Sequence, residues 1–280
     1  VPTLLFCFAP LSKVVAHSPL FIRARVGLSN IYQMESEIDS AQGVSTDVAR
    51  KKSKKYQDFK TIAFENITYH YKDKTGEAQF TSGPWSLDVE RGELVFMVGG
   101  NGSGKSTALR LMSGLYKWAE GRLLIDGEEV PPADIAGVRE LFTTIFSDFH
   151  LFDRLYGLEH VDPDEVNKLI EMMDLADKVE FKNGRFTDTH LSTGQRKRLA
   201  LITAILEDRP IYMLDEWSAE QDVHFRKVFY TKILADLKAK GKTIIIVTHD
   251  ERFWDLADRV VKFDLGKVEW DSKRDKSSYN

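Results

Sequence analysis

The chain has 280 residues, 42% of them hydrophobic and 29% charged, a composition typical of a globular protein with one large domain or two moderate ones. Its formal net charge of −4 argues against a general nucleic-acid-binding protein, because such proteins concentrate an excess of Lys and Arg. The single cysteine, Cys7, excludes an internal disulfide framework and fits a reducing compartment.

Residues 1–22 are mostly apolar, but Lys13, His17 and several prolines interrupt them. Two interpretations follow from this stretch alone: a tail helix, or the last part of a transmembrane helix that faces a polar cavity. The basic run at residues 50–55 has no apolar periodicity and indicates a linker. Positive charge beyond a span marks the cytoplasmic side, whereas the alternative for this run is an ordinary solvated surface.

From Thr61 onward the pattern changes to strands, first "TIAFENITYHY", "WSLDVE" and "ELVFMV", then "RLLIDGEEV" with an Asp126-Gly127 turn. Strands and helices then alternate. The apolar runs at residues 211–214 and 243–248 follow helical patterns, as buried parallel strands do. The pattern predicts an α/β protein.

The sequence "GGNGSGKS" over residues 99–106 matches G-x-x-x-x-G-K-[ST] between a predicted strand and a predicted helix. Such a loop turns backbone N–H groups towards phosphate oxygens. Lys105 is expected to reach the β and γ phosphates, Ser106 to bind Mg²⁺, and Thr107 to add a contact. The other predicted phosphate-binding residues of the loop are Gly99, Asn101, Gly102, Ser103 and Gly104.

Acidic residues and a histidine follow two later strands. Asp215 and Glu216 end the strand "IYML", at the edge where α/β sheets bind ligands. Asp215 is expected to support the Mg²⁺ and Glu216 to act as general base towards the attacking water. His249 ends the strand "TIIIVT" and is expected to contact the γ-phosphate and orient that water.

Two further features indicate nucleotide contacts. Tyr71 precedes the glycine-rich loop at a distance suited to a flat surface for adenine, with Tyr69 as the competing candidate. The sequence "LSTGQ" opens a predicted helix at residues 191–195, and a helix start of this kind suits an anion.

With these motifs in this order, residues 58–272 resemble the nucleotide-binding domain of ABC transporters. The resemblance implies a P-loop NTPase fold with a mainly parallel central sheet, an antiparallel β-subdomain and a helical subdomain. It implies ATP and Mg²⁺ as cofactors. It also implies that Ser192, Gly194 and Gln195 of the signature cap the ATP bound to a second copy, in a head-to-tail dimer.

A narrower resemblance is to the bacterial exporters of cyclic peptides and peptide siderophores, the syringomycin and pyoverdine type. It rests on "FSDFHLFDRLYG", "LSTGQRKRLALITAILEDRPIYMLDEWSAEQD" and "FRKVFYTKIL", with Trp217 and Ser218 where most relatives have Pro-Thr. In that branch membrane helices precede the ATPase in one polypeptide. The resemblance therefore implies the end of a transmembrane domain and its extension over residues 1–45, a linker over 46–57 and the ATPase over 58–280.

Some positions depart from the family pattern. Ser147 stands where the family has a Gln that contacts Mg²⁺ and the lytic water, so that either a bridging water or Asp148 has to complete the contact. Thr193 replaces a signature glycine, which a negative φ tolerates. The D-loop reads "AEQD" over residues 219–222 and keeps only the first and last family residues.

These observations predict the ATP-hydrolysing motor of a homodimeric exporter in the bacterial inner membrane, with its ATPase domain on the cytoplasmic side. The expected cargo is a cyclic peptide or a peptide siderophore precursor. The alternatives are lipid or drug-like cargo, a non-transport ATPase switch, and a regulatory subunit that scarcely hydrolyses ATP.

Overall fold

The computed structural model describes residues 17–32, 34–35, 45–72 and 78–273. The chain divides into two compact units, Val1–Thr46 and Asp47–Asn280. In the first unit, residues 17–32 form an exposed helix, α1. Residues 1–16 of the predicted membrane segment lie outside the described residues. Among the helices that are described, none combines the length and the apolar character needed to cross a bilayer.

The remaining helices all begin at or after Thr46. They are α2 Thr46–Ser53, α3 Lys105–Met112, α4 Ile135–Arg139, α5 Pro163–Met172, α6 Thr193–Glu207, α7 Val223–Val228 and α8 Leu234–Ala239. A π-helical turn over Phe229–Ile233 joins α7 to α8. Short 3₁₀ turns cover Pro132–Asp134 and Glu251–Leu256.

The strands of the described residues form three sheets. They are β1 Thr61–Lys72, β2 Ala78–Glu90, β3 Leu94–Val98, β4 Glu120–Ile125, β5 Glu128–Glu129, β6 Phe142–Ile145, β7 Phe181–Lys182, β8 Arg185–Phe186, β9 Ile211–Asp215, β10 Thr243–Val247, β11 Arg259–Asp264 and β12 Lys267–Asp271. The central sheet has the order β12-β11-β3-β10-β9-β6 and is parallel except for β12. An antiparallel sheet has the order β2-β1-β4-β5, and β7 pairs with β8.

The central strands are buried because hydrophobic layers cover both faces of the sheet. Every residue of β3, β9 and β10 is buried. Alternate residues of β3 enter different clusters: Phe96 packs with α6 and the helices around it, whereas Val95 and Met97 pack with α3 and the antiparallel sheet. The parallel central sheet, the antiparallel subdomain and the helical segment confirm the predicted fold class.

Residues 46–57 were interpreted as a linker from their sequence. Within this segment Thr46–Ser53 form α2, and Ala49 and Tyr56 are buried. The backbone of α2 approaches α4 closely because position 137 is glycine: a Cβ there would lie 2.7 Å from Lys52 Cβ. The helix sequence, TDVARKKS, has no apolar periodicity. The sequence pattern therefore did not indicate a helix here.

Candidate functional site

The glycine-rich loop connects β3 to α3 and is shaped by backbone conformations that favour glycine. Gly99, Gly102 and Gly104 have φ values of 137°, 77° and 99°. A Cβ at Gly104 would lie 2.9 Å from Gly266 Cα, and one at Gly99 would collide with the Phe263 carbonyl oxygen. Side chains at these glycine positions would fill the space inside the loop or clash with neighbouring backbone. Glycine keeps this space open, which fits the close approach of a phosphate group.

Lys105 lies at the start of α3 with only 5% of its surface exposed. Its Nζ donates to the Gly99 carbonyl at 2.9 Å and to the Gly100 carbonyl at 2.8 Å. Burial lowers the pKa of Lys105, and the carboxylates of Glu216 and Asp215 oppose that shift. The ammonium is thus held inside the loop by carbonyl oxygens.

A cleft of about 470 Å³ opens beside the loop. Tyr71, Phe80 and Glu216 line it together with the loop residues 101–107. The Tyr71 hydroxyl lies 3.1 Å from Thr107 Oγ1. Tyr69, the competing candidate for the adenine contact, instead stacks on Tyr116 at 5.1 Å between ring centroids. Of the two tyrosines, the structure places Tyr71 at the cleft.

Oxygen atoms of Ser106, Ser147 and Asp215 meet at the carboxyl end of β9. Ser106 Oγ donates to Asp215 Oδ1 at 3.1 Å, and Ser147 Oγ donates to Asp215 Oδ2 at 3.4 Å. Asp215 is fully buried, and this burial raises its pKa, while the Ser106 hydrogen bond lowers it in part.

This oxygen cluster fits Mg²⁺, which is typically bound through one or two carboxylates together with substrate phosphates. Within the described ranges, no group of three or more His, Cys, Asp and Glu residues is arranged to hold a metal ion. A metal at Asp215 would therefore depend on hydroxyl and phosphate oxygens as further ligands. The carboxylate of Asp148 instead pairs with the guanidinium of Arg110, at 3.2 Å.

Glu216 and His249 face each other beside the cleft. Glu216 Oε1 lies 3.2 Å from His249 Nε2, and the side chains are 36% and 47% exposed, respectively. Glu216 has a φ of 48°, a left-handed conformation that residues other than glycine rarely adopt. Its backbone N–H donates to the Val247 carbonyl at 3.1 Å. The acid and the imidazole are thereby presented at the ends of neighbouring strands.

The signature forms a capped helix start. Ser192 Oγ accepts from Gln195 N–H at 3.4 Å, and Gln195 Oε1 accepts from Ser192 N–H at 3.3 Å, which is a capping box. The φ of Thr193 is not positive. A threonine can therefore replace the family glycine at this position without backbone strain. A Cβ at Gly194 would collide with the Glu220 carbonyl. Within this chain, Ser192, Gly194 and Gln195 do not line the cleft beside the glycine-rich loop.

The structure therefore brings most of the predicted residues to one end of the central sheet and leaves the signature apart from them. Sequence reasoning missed Phe80, which lies on β2 opposite Tyr71. Phe80 could have been indicated by its aromatic side chain, because it lies on the strand that pairs with the strand of Tyr71. It also missed Lys197 of α6, whose Nζ donates to the Glu216 carbonyl at 2.7 Å.

Comparison with known proteins agrees with this geometry. A family model described as ABC transporter matches residues 83–219. The ATP-binding protein SyrD of Pseudomonas syringae pv. syringae is 41% identical, covering 98% of this chain and 50% of SyrD. An uncharacterized ABC transporter ATP-binding protein of Bacillus subtilis (strain 168), YurJ, is 32% identical, covering 73% of this chain and 58% of YurJ. The chain thus spans between about half and three fifths of these relatives.

Solved structures share the fold. A bacterial Atm1-family ABC exporter with ATP bound has a TM-score of 0.66 and 23% identity, covering 90% of this chain and 46% of that one. An ATP-binding cassette solved as a dimer in a post-hydrolysis state, bound to ADP and Pi, has a TM-score of 0.62 and 23% identity, covering 75% of this chain and 97% of that one. At these identities the likeness establishes the fold.

Proposed function

Because this chain belongs to the ATP-hydrolysing ABC transporter family, we propose that it is the motor of a homodimeric exporter that couples ATP hydrolysis to transport across the bacterial inner membrane. The observation that carries the proposal is the convergence of the glycine-rich loop, the Asp215 oxygen cluster and the Glu216–His249 pair at one end of the central sheet. A phosphate cradle, a magnesium-type oxygen set and an acid beside an imidazole are the components that phosphoryl transfer to water requires.

In this proposal the loop and Lys105 bind the phosphates of ATP, and Tyr71 contacts the adenine. Ser106, Asp215 and Ser147 would hold Mg²⁺, which neutralises phosphate charge when it is bound with the nucleotide. Glu216 accepts a proton from the attacking water, and His249 holds the carboxylate in place and orients the water at the γ-phosphate. Ser147 contacts Asp215 directly, so its hydroxyl can take the position of the family Gln with the shorter reach that the sequence predicts.

The separation of the signature from the cleft supports a second copy as partner. Ser192, Gly194 and Gln195 present a capped helix N-terminus, which favours anions, on a surface other than that of the glycine-rich loop. Two copies arranged head to tail would place each signature over the nucleotide of the other copy. The glycine-rich loop of one copy then surrounds the phosphates, and the signature of the other copy covers them.

Export and cargo rest on the relatives and on the resemblance. Similarity to SyrD extends over 98% of this chain, including the residues before the ATPase. We infer that membrane helices precede the ATPase, that the motor lies on the cytoplasmic side, and that the cargo is a cyclic peptide or a peptide siderophore precursor. Relatives of lower identity are described as a lipid A-core flippase and as a macrolide exporter, so lipid and drug-like molecules are the alternative cargo.

The Glu216→Gln variant tests the hydrolytic part of this proposal. It should bind ATP, accumulate a closed dimer and lose turnover by roughly 100-fold or more, because the amide cannot accept the proton. Phosphate release and size-exclusion chromatography with ATP measure both effects. Normal turnover in this variant would remove Glu216 from the role of general base.

The same variant serves as the control for transport. Bacteria that lack their own efflux pumps and express the complete gene are compared with bacteria that express the Glu216→Gln form, and their secreted small molecules are analysed by mass spectrometry. A peptide-like product that leaves only the parental cells is expected. A lipid or drug-like product would support the alternative cargo, and equal secretion from both strains would contradict the transport role.

A further inference from the structure

Lys197 is a fully buried lysine on the signature helix α6, with 0% of its surface exposed. Its Nζ donates to the backbone carbonyl of Glu216 at 2.7 Å and also to the side-chain carboxylate of Glu220. A buried ammonium is costly unless hydrogen bonds and an opposite charge surround it. Both partners of Lys197 lie in the segment between the end of β9 and the start of α7.

The residue after Glu216 strengthens this connection. Trp217 is fully buried, its Nε1 donates to the Lys197 carbonyl at 2.9 Å, and its ring stacks on Phe229 at 4.2 Å between centroids. Lys197 is therefore tied through its side chain to the carbonyl of Glu216 and through its own carbonyl to the next residue of the chain.

These contacts surround a backbone conformation that is unfavourable by itself. A non-glycine residue held in the left-handed region is strained and keeps this conformation only where surrounding contacts hold it in place. Glu216 is such a residue, with a φ of 48°. A proline at position 217 would restrict Glu216 to extended conformations, whereas Trp217 leaves the left-handed conformation accessible.

We propose that Lys197 is a positioning residue for ATP hydrolysis: its ammonium holds the Glu216 carbonyl and thereby keeps the Glu216 carboxylate beside His249 and the glycine-rich loop. The pair with Glu220 neutralises the ammonium at the buried position. Glu220 itself is 45% exposed at its side chain, so its carboxylate can reach water if the ammonium is removed. The inference rests on the proposed role of Glu216 as general base.

This arrangement separates two functions that substitutions can distinguish. If Lys197 only strengthened the fold through its ion pair, turnover would fall in each variant only as far as its stability falls, and Glu220→Gln, which leaves the buried ammonium unpaired, would lose more than Lys197→Met. If it positions Glu216, removing the ammonium would lower turnover, whereas neutralising Glu220 would leave the hydrogen bond to the carbonyl intact.

The test compares Lys197→Met, Glu220→Gln and the double variant in the full chain, with Ile202→Val as a matched control. Ile202 is a buried core residue of the same helix, so its substitution measures the effect of a modest stability loss on turnover. Steady-state ATP hydrolysis gives kcat and KM, and thermal unfolding gives Tm for each protein.

Lys197→Met should lower kcat roughly 10- to 100-fold, because a small displacement of a catalytic group has effects of this size, while KM for ATP changes by less than about threefold. Glu220→Gln should lower kcat by no more than about threefold. Glu220→Gln should lower Tm the most, because it leaves the buried ammonium without its counter-charge. In the double variant, Tm should recover towards the parental value, because no buried ammonium remains, while kcat stays low.

A parental kcat in Lys197→Met, or a kcat that recovers together with Tm in the double variant, would overturn the proposal. If Lys197→Met does not fold, the double variant with its neutral pair provides the same comparison. Glu216→Gln is measured alongside to separate the two possible failures. Turnover retained in Glu216→Gln would contradict the base itself, whereas turnover lost there but retained in Lys197→Met would contradict only the positioning role.

Discussion

Asp215 places a carboxylate in a fully buried position at the end of β9. Its hydrogen bonds come from two serine hydroxyls, and burial raises its pKa above the ordinary value for aspartate. The folded state therefore binds a proton more readily than the unfolded state does. Such a group lowers the free energy of unfolding as the pH rises from its ordinary pKa to its raised pKa. A site suited to a divalent cation thus costs stability when no cation neutralises it.

Replacing this carboxylate by an amide should stabilise the nucleotide-free chain and abolish turnover. For Asp215→Asn we expect a gain of about 1 kcal/mol in the free energy of unfolding near pH 7, measured by urea denaturation. The gain should shrink as the pH falls below the raised pKa of Asp215, because the parental side chain is then neutral as well.

The exposed Asp236→Asn on α8 is the control and should change stability little at any of these pH values. A loss of stability in Asp215→Asn at neutral pH would show that the carboxylate is compensated by the serines alone, contrary to this account.

At the scale of single elements, α2 shows how a strongly charged helix can be held by polar contacts. Lys52 Nζ donates to the Ala133 carbonyl at 2.6 Å and pairs with Asp134 at 3.0 Å. The Tyr56 hydroxyl donates to the same carboxylate at 2.9 Å. The Lys52 and Tyr56 hydrogen bonds lower the pKa of Asp134. The ionised Asp134 therefore stabilises the folded state above the ordinary pKa of aspartate. This stabilisation is lost as the pH falls through the lowered pKa of Asp134.

Neutralising Asp134 should loosen α2 without unfolding the domain. In Asp134→Asn, amide hydrogen exchange over residues 46–56 should become about fivefold faster near pH 7, which corresponds to about 1 kcal/mol of local opening. Mass spectrometry of peptides from α2 and α6 measures the local and the global effect. Glu171→Gln, an exposed carboxylate on α5, is the control. Equal acceleration in α2 and α6 would indicate global destabilisation and contradict a local role.

At the scale of the whole molecule, Arg259 joins the central sheet to the antiparallel sheet. Its guanidinium has 1% side-chain exposure and donates to both carboxylate oxygens of Asp271, at 2.8 Å and 2.6 Å. It also donates to the backbone carbonyl of Asp88 on β2 at 2.5 Å. One side chain therefore connects β11, β12 and β2, and the planar guanidinium matches the carboxylate with two parallel hydrogen bonds.

Removing this connection should be severe, because the buried carboxylate of Asp271 would lose the two hydrogen bonds and the positive charge of the guanidinium. We expect Arg259→Met to lower the free energy of unfolding by about 3–5 kcal/mol, measured by urea denaturation. Arg122→Met is the matched control: Arg122 also pairs with a carboxylate, that of Glu65, but its side chain is 55% exposed. Its loss should cost less than about 1 kcal/mol. Equal effects of the two substitutions would contradict the importance of burial.

Much of the fold and of the candidate site could be predicted from the sequence because the signals are local. The glycine-rich loop, the apolar runs ending in Asp215 and His249, and the helix start at Ser192 each lie within a few consecutive residues. The periodicity of neighbouring residues determines whether a strand or a helix forms, and the carboxyl ends of parallel strands meet at one edge. The choice between Tyr69 and Tyr71 could not be made in this way, because both lie on the same strand and the same face.

The sequence by itself thus determined the fold class, the order of the main strands and helices of the ATPase domain, and most of the residues that surround the glycine-rich loop. Only the tertiary structure decided that Lys197 is buried against the Glu216 carbonyl, that α2 docks beside Gly137, and that Arg259 bridges two sheets. The physical reason is that a charged residue has the same local pattern whether it is solvated or buried. Its role depends on partners that are distant along the chain and are brought near only by folding.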